Sequence, residues 1–260
     1  MNPTLGLLTH VLDGAAHGIL DAVFPPRCAG CQTWSKEVFC PACHAALRPI
    51  VAPICAVCGV PFDPLAHSAS TCADCRANRY HGSPPFVALR SAYVFEGAIR
   101  DAAHRLKYRD KVALAAPLAG LLQEFLERQP AAAPPIPLGD LALLTPVPLH
   151  SWRRYRRGYN QSALLAAHLG KRIAVLNGEV LRRTRHTSPQ VELSARQRAE
   201  NVKGAFSVDE AALEKWNPHG GPVLLIDDVC TTGSTLRECA AVLKGAGVSE
   251  VYALTLARQL

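Results

Sequence analysis

Hydrophobic positions along this chain follow two periods. Leu5, Leu8, Leu12, Ala15, Ile19 and Val23 recur at helical spacing, which predicts an amphipathic helix within residues 1–24. From residue 86 onward, apolar runs of strand length take turns with helical patterns. Residues 86–95 read as a strand and Glu96-Gly97 as its turn. Residues 98–108 read as a helix with Ile99, Ala102, Ala103 and Leu106 on one face, followed by a second helix over 113–128. The next buried strand is 141–147, then a helix over 162–172 carrying Leu164, Leu165, Ala167 and Leu169. Residues 223–226 form an apolar strand that stops at two carboxylates, a helix spans 236–243, and a strand over 248–257 closes the chain. Strands separated by helical segments predict an α/β fold, an open parallel sheet with flanking helices.

Residues 25–79 follow neither period. Eight of the ten cysteines fall there as four C-x-x-C pairs: Cys28/Cys31, Cys40/Cys43, Cys55/Cys58 and Cys72/Cys75. Two thiolates spaced this way in a tight knuckle can reach one tetrahedral zinc. Disulfides are the competing reading, but the first residues lack a basic n-region and Asp13, His17 and Asp21 interrupt the apolar positions, so no export signal is expected. Two structural zinc ions in a double ribbon follow, closed by four sulfurs each and therefore without catalysis. Spacing leaves open whether consecutive or interleaved pairs share an ion. His44, His67 and His81 lie near the knuckles and read as surface residues, while Cys230 and Cys239 read as packing residues. Residues 80–85, polar and Pro/Gly-containing, mark the boundary to a domain over 86–260.

The net charge of +7 implies an anionic partner, and its distribution narrows the choice. Residues 150–203 hold twelve Lys or Arg against Glu179, Glu192 and Glu200. Arg153, Arg154, Arg156 and Arg157 interleave with Tyr155 and Tyr159 just past a predicted strand end, where open parallel sheets place their ligand crevice. Guanidinium forks there, with Lys107 from the end of the first helix, suit a pyrophosphate; arginine with tyrosine also suits single-stranded nucleic acid. A solvated basic surface is the bland reading of the same charge. No stretch is long and apolar enough to span a bilayer, and a cytoplasmic location is expected.

The segment from Val223 to Leu236 carries the most specific chemistry. Asp227 and Asp228 can accept hydrogen bonds from vicinal ribose hydroxyls or help position hydrated magnesium. Thr231, Thr232, Gly233, Ser234 and Thr235 then supply hydroxyls, close backbone approach and a helix N-terminus, the ingredients of a phosphate site. This combination resembles the signature of the type I phosphoribosyltransferases, which bind 5-phosphoribosyl 1-pyrophosphate (PRPP). Residues 181–206, polar and basic with Arg185, Gln190, Arg196 and Arg198, read as a cover over that site or as a loose hairpin.

Taken together, the knuckles from Cys28 to Cys75, Arg157-Gly158-Tyr159-Asn160-Gln161 after Pro146-Val147-Pro148-Leu149, and the segment from Leu224 to Leu236 resemble the ComF family. Thr187, Gln190, Leu193, Arg196, Asn201 and Phe206 are similar in layout to that family's hood segment. The resemblance covers nearly the whole chain. It implies a double zinc ribbon followed by a type I phosphoribosyltransferase-like domain, PRPP with magnesium as ligand, and a link to natural competence, with single-stranded DNA and other competence proteins as partners. It also implies roles: Asp227 and Asp228 at the ribose, residues 231–235 at the 5-phosphate, the arginines at the pyrophosphate. The acceptor is not implied, and whether such a protein turns PRPP over or only binds it stays open.

Overall fold

A computed structural model of the protein describes residues 26–62, 70–76, 85–129, 134–185 and 195–260. The expected N-terminal helix, the 80–84 part of the boundary, His67, His81, Thr187, Gln190 and Leu193 lie outside these residues.

The strands are β1 (Ala88–Val94), β2 (Leu143–Pro146), β3 (Leu181–Arg183), β4 (Phe206–Val208), β5 (Val223–Cys230) and β6 (Val251–Arg258). Short helices α1 (Pro41–Ala45) and α2 (Ala73–Arg76) belong to the cysteine-rich segment. They are followed by α3 (Gly97–Arg105), α4 (Ala115–Glu127), α5 (Ser151–Arg157), α6 (Gln161–Ile173), α7 (Ala195–Val202), α8 (Glu210–Trp216) and α9 (Ser234–Gly245). Four strands make one parallel sheet in the order β1-β6-β5-β2, and β3 pairs antiparallel with β4 in a separate ribbon.

The continuous apolar runs of β5 and β6 are explained by helices on both faces of the sheet. Leu224, Ile226 and Leu254 pack with Leu118, Leu122, Leu165 and Leu169 of α4 and α6. Their strand neighbours Val223, Leu225 and Ala253 pack with Leu236, Cys239, Ala240 and Leu243 of α9, together with Val202 and with Phe206 of β4. Period-2 alternation is thus present in β5, with both phases buried.

The cysteine-rich segment closes the outer edge of β1. Ile50 N–H donates to Ala92 O at 2.9 Å, Val94 N–H to Arg48 O at 2.8 Å, and Leu89 N–H to Val57 O at 2.7 Å. An edge that would otherwise present unpaired amides is therefore occupied by the chain's own backbone. Cys28, Ala29 and Phe39 share one core with Ile99, Ala102 and Ala103 of α3.

Two expectations change. Residues 153–157 do not form an open loop: they lie on α5, whose last turn ends at Gly158 in the left-handed region, φ 84°. The strand also does not stop at the acidic pair, because β5 continues through Asp227 and Asp228 to Cys230, paired with β6 as far as Arg258.

Candidate functional site

The eight paired cysteines gather into two clusters by consecutive pairs: Cys28, Cys31, Cys40, Cys43, and Cys55, Cys58, Cys72, Cys75, with sulfurs within 4.8 Å of one another in each. The interleaved arrangement is thereby excluded. A tetrahedral zinc with bonds of about 2.3 Å needs sulfurs roughly 3.8 Å apart. Cys31 and Cys40 stand 3.6 Å apart, as do Cys58 and Cys72, so both sets fit the ion. Backbone N–H groups of Gly30 and Cys40 point at the Cys28 sulfur, each at 3.3 Å. Without an ion the thiols of each cluster split: the Thr33 hydroxyl holds Cys31 down to about 6 and Cys58 with nearby backbone N–H groups holds Cys55 down to about 4, while burial pushes Cys43 and Cys75 up to about 12. His44 is exposed and belongs to neither cluster. Cys230 and Cys239 are buried in the sheet core, where desolvation raises both thiols.

The acidic pair sits near the C-terminal end of β5, in the region expected of a ligand crevice. Asp227 Oδ1 accepts from Ser162 Oγ at 2.8 Å and from the Asp228 N–H at 3.0 Å. Ser162 stands in the first turn of α6, which Asn160 caps by accepting from the Ser162 N–H at 3.1 Å. The Asn160 side chain also donates to Val147 O at 2.9 Å, locking this helix start to the end of β2. Burial, with the neighbouring Asp228 charge adding to it, pushes the Asp227 carboxyl up to about 7, against the pull of Ser162. Asp228 is 6% exposed, and its Oδ1 accepts from the Val229 N–H at 3.0 Å. Its Oδ2 receives no hydrogen bond and faces the Lys107 ammonium at 3.6 Å.

Residues 231–233 form the turn between β5 and α9. Gly233, φ 75°, is the residue before α9, a conformation that side chains resist. Thr232 Oγ1 and Ser234 Oγ lie 2.8 Å apart, and Arg237 donates to Thr232 O at 2.8 Å. Hydroxyls, a left-handed glycine and a helix start therefore occupy one turn directly after the acidic strand, an arrangement able to receive a phosphate.

The basic residues divide. Lys107 joins the acidic pair. Arg154 instead bonds Glu179 at 3.0 Å, Arg156 lies over the Trp152 ring at 4.7 Å, and Arg157 bonds Gln161. Arg153 is on α5, with its side chain outside the described atoms. Arg154 lines a cleft of about 330 Å³ with Pro148, Leu149, Asn160, Arg182 and Asp209, between α5 and the β3–β4 ribbon. Within residues 181–206, Arg185 donates to Asn201 O at 3.2 Å and Lys203 O at 2.7 Å, tying the stretch just after β3 to the end of α7. Arg196 and Arg198 lie on α7, and Gln190 falls outside the described residues.

Sequence reasoning missed Ser162 and Arg237, and it singled out Tyr159 without its contact: the Tyr159 hydroxyl donates to Leu106 O at 2.5 Å just before Lys107. Ser162 had a legible signal, a small hydroxyl residue in the first turn of a helix that begins at a strand's C-terminal end.

Residues 19–76 match the double zinc ribbon domain family and residues 159–260 the phosphoribosyl transferase domain family. The DNA utilization protein YhgH of Salmonella typhi is 33% identical over 223 residues, 85% of this chain and 90% of that protein. Competence protein F of Haemophilus influenzae is 32% identical over 233 residues, 89% of this chain and 95% of that one. Competence protein ComFC of Bacillus subtilis is 27% identical over 227 residues, 85% of each chain.

Proposed function

This chain belongs to the family of competence protein F and the YhgH proteins, a double zinc ribbon joined to a phosphoribosyltransferase domain, and on that premise we propose that it binds PRPP and transfers its phosphoribosyl group to an acceptor during DNA uptake or use in the cytoplasm. The carrying observation is the acidic pair on β5 running directly into the Gly233 turn and the first turn of α9. In this reading Thr231, Thr232, Gly233, Ser234 and Thr235 hold the 5-phosphate, and Asp227 and Asp228 accept from the ribose hydroxyls. Both carboxylates would also stabilise positive charge developing at the ribose C1 as pyrophosphate departs. Lys107 would exchange its 3.6 Å contact with Asp228 for the pyrophosphate. Arg154, Arg156 and Arg157 would reach the same ligand by giving up Glu179, Trp152 and Gln161, with Arg153 beside them in the sequence, and the segment with Arg185, Gln190, Arg196 and Arg198 would close over it.

Magnesium fits a site whose buried Asp228 Oδ2 lacks a hydrogen bond. Asp227 and Asp228 would hold it through water, and when bound it offsets charge on the leaving pyrophosphate. Calorimetric titration of PRPP with magnesium is the direct test, followed by pyrophosphate release with and without candidate acceptors. Asp228→Asn is expected to abolish release with the circular dichroism unchanged. Absence of heat at millimolar PRPP would end both the enzymatic reading and its non-catalytic version, a PRPP- or nucleotide-sensing regulator.

A second reading rests on α5, where Tyr155 is 83% exposed and Trp152 is exposed beside Arg154 and Arg156. Exposed rings among guanidinium groups form a platform for single-stranded DNA, alone or with other competence proteins. That reading expects oligonucleotide affinity that falls steeply with salt and survives Asp228→Asn.

A further inference from the structure

Two buried guanidinium groups flank the second cysteine cluster. Arg90 of β1 is 1% exposed and donates to Leu89 O at 2.9 Å, Ala56 O at 2.9 Å and Pro134 O at 2.7 Å. Arg258, the last residue of β6, is 6% exposed; it donates to Cys58 O at 2.6 Å, and its buried Nε has no hydrogen-bond partner. Among the described residues neither forms an ion pair with a carboxylate. Ala56 and Cys58 belong to the knuckle that begins at Cys55, so both cations contact the backbone that carries the sulfurs.

A buried charge without a counter-charge costs several kcal/mol, by order of magnitude, so two of them side by side need a nearby anion. Four thiolates on one zinc ion leave roughly two net negative charges. The sign and the amount match. The first cluster differs: Arg105, which donates to Gly30 O at 2.7 Å and also to Ala29 O, is only partly buried, and solvent can screen its charge.

We infer that Arg90 and Arg258 are the buried counter-charges of the metal-loaded Cys55, Cys58, Cys72 and Cys75 cluster, and that Arg258 positions the strand end from which the 231–233 turn departs. Its backbone pairs with Cys230, and the next residue, Gln259, donates its N–H to Cys230 O at 2.9 Å. From the other side, Leu89 bonds Val57 and would contact a Cβ at Gly233 at 3.5 Å. Gly59, φ 69°, lets the knuckle lie against the Leu89 carbonyl, which a Cβ would strike. Metal at the second cluster would therefore hold both flanks of the turn, whatever ligand the turn receives.

The test is site-resolved alkylation of the zinc-loaded protein by N-ethylmaleimide, with peptide mapping to separate the clusters and total zinc measured alongside. In Arg90→Met and Arg258→Met, the second cluster is expected to react at least about tenfold faster than in the parent, with the first within about twofold. Hydrogen exchange at residues 229–235 is expected to rise with it, without PRPP present. Leu254→Ala, a core truncation in β6, controls for general destabilisation and is expected to affect both clusters alike. Equal acceleration of both clusters in the methionine variants, or none, overturns the assignment. Should the methionine variants not fold, Arg90→Lys and Arg258→Lys decide: retained charge is expected to keep the second cluster protected within about threefold. Loss of that protection in the lysine variants would show that charge is not what the site needs.

Discussion

The Lys107 ammonium lies 3.6 Å from Asp228 Oδ2, the one buried carboxylate oxygen among the described residues that no hydrogen bond reaches. Tyr159 fixes the lysine's approach by bonding Leu106 O at the end of the preceding helix. A cation held this way faces the carboxylate without engaging it in a short hydrogen bond, so under the proposed function a ligand's hydroxyl can take its place.

Lys107→Met removes that charge and leaves the carboxylate buried alone. The expected cost is about 1–3 kcal/mol in urea denaturation at neutral pH. Adding Asp228→Asn to the same chain is expected to recover most of the loss. A double variant as unstable as Lys107→Met would show that the lysine acts through packing instead.

Asp227 gives the site a pH dependence whose sign is fixed by burial. Its folded pKa, about 7, exceeds the unfolded value near 3.9, so the folded state holds the proton more tightly. The stability from this group is complete below pH ~4 and is lost as pH rises toward and through 7. Asp227→Asn, which cannot ionise, is expected to flatten the stability profile between pH 5 and pH 8 and to be the more stable protein at the alkaline end. An unchanged slope between those conditions would place the titrating group elsewhere.

Gly233→Ala puts a side chain where φ is 75°, at a cost of about 1–2 kcal/mol. The turn is expected to relax away from its present shape, weakening PRPP binding by calorimetry at least about tenfold while both zinc ions stay bound. Undiminished affinity would remove the turn from the proposed phosphate site.

Tyr155→Ala with Arg154→Ala tests the single-stranded DNA reading. The Arg154–Glu179 pair is exposed on both sides, so the stability change should stay under about 1 kcal/mol. If α5 carries single-stranded DNA, oligonucleotide affinity drops and its salt dependence becomes shallower, by about 0.7 in log–log slope per lost phosphate contact. Equal binding of the oligonucleotide by variant and parent would sink that reading.

Much of this site could be read from the chain because its parts are neighbours in sequence. The four C-x-x-C pairs reveal metal ligands, since two sulfurs three residues apart must serve the same ion or knuckle. The run from Val223 to Thr235 reveals strand, acids and hydroxyl turn for the same reason. Arginine spacing was less informative: alternation with tyrosines at residues 153–159 fits a loop as well as it fits α5, and only helix geometry sends Arg156 onto Trp152 and Arg157 onto Gln161.

By itself the sequence determined the parallel α/β framework, the two ribbons and the acid-then-hydroxyl turn, because each is encoded by local periodicity or short spacing. Tertiary structure alone decided that consecutive pairs gather into each four-cysteine cluster, that Lys107 and Ser162 converge on the acidic pair, and that residues 48–57 cover the edge of β1. Those relationships join distant segments. They depend on which strand lies next to which and on where buried charges find partners, and neither is written in any single stretch of the chain.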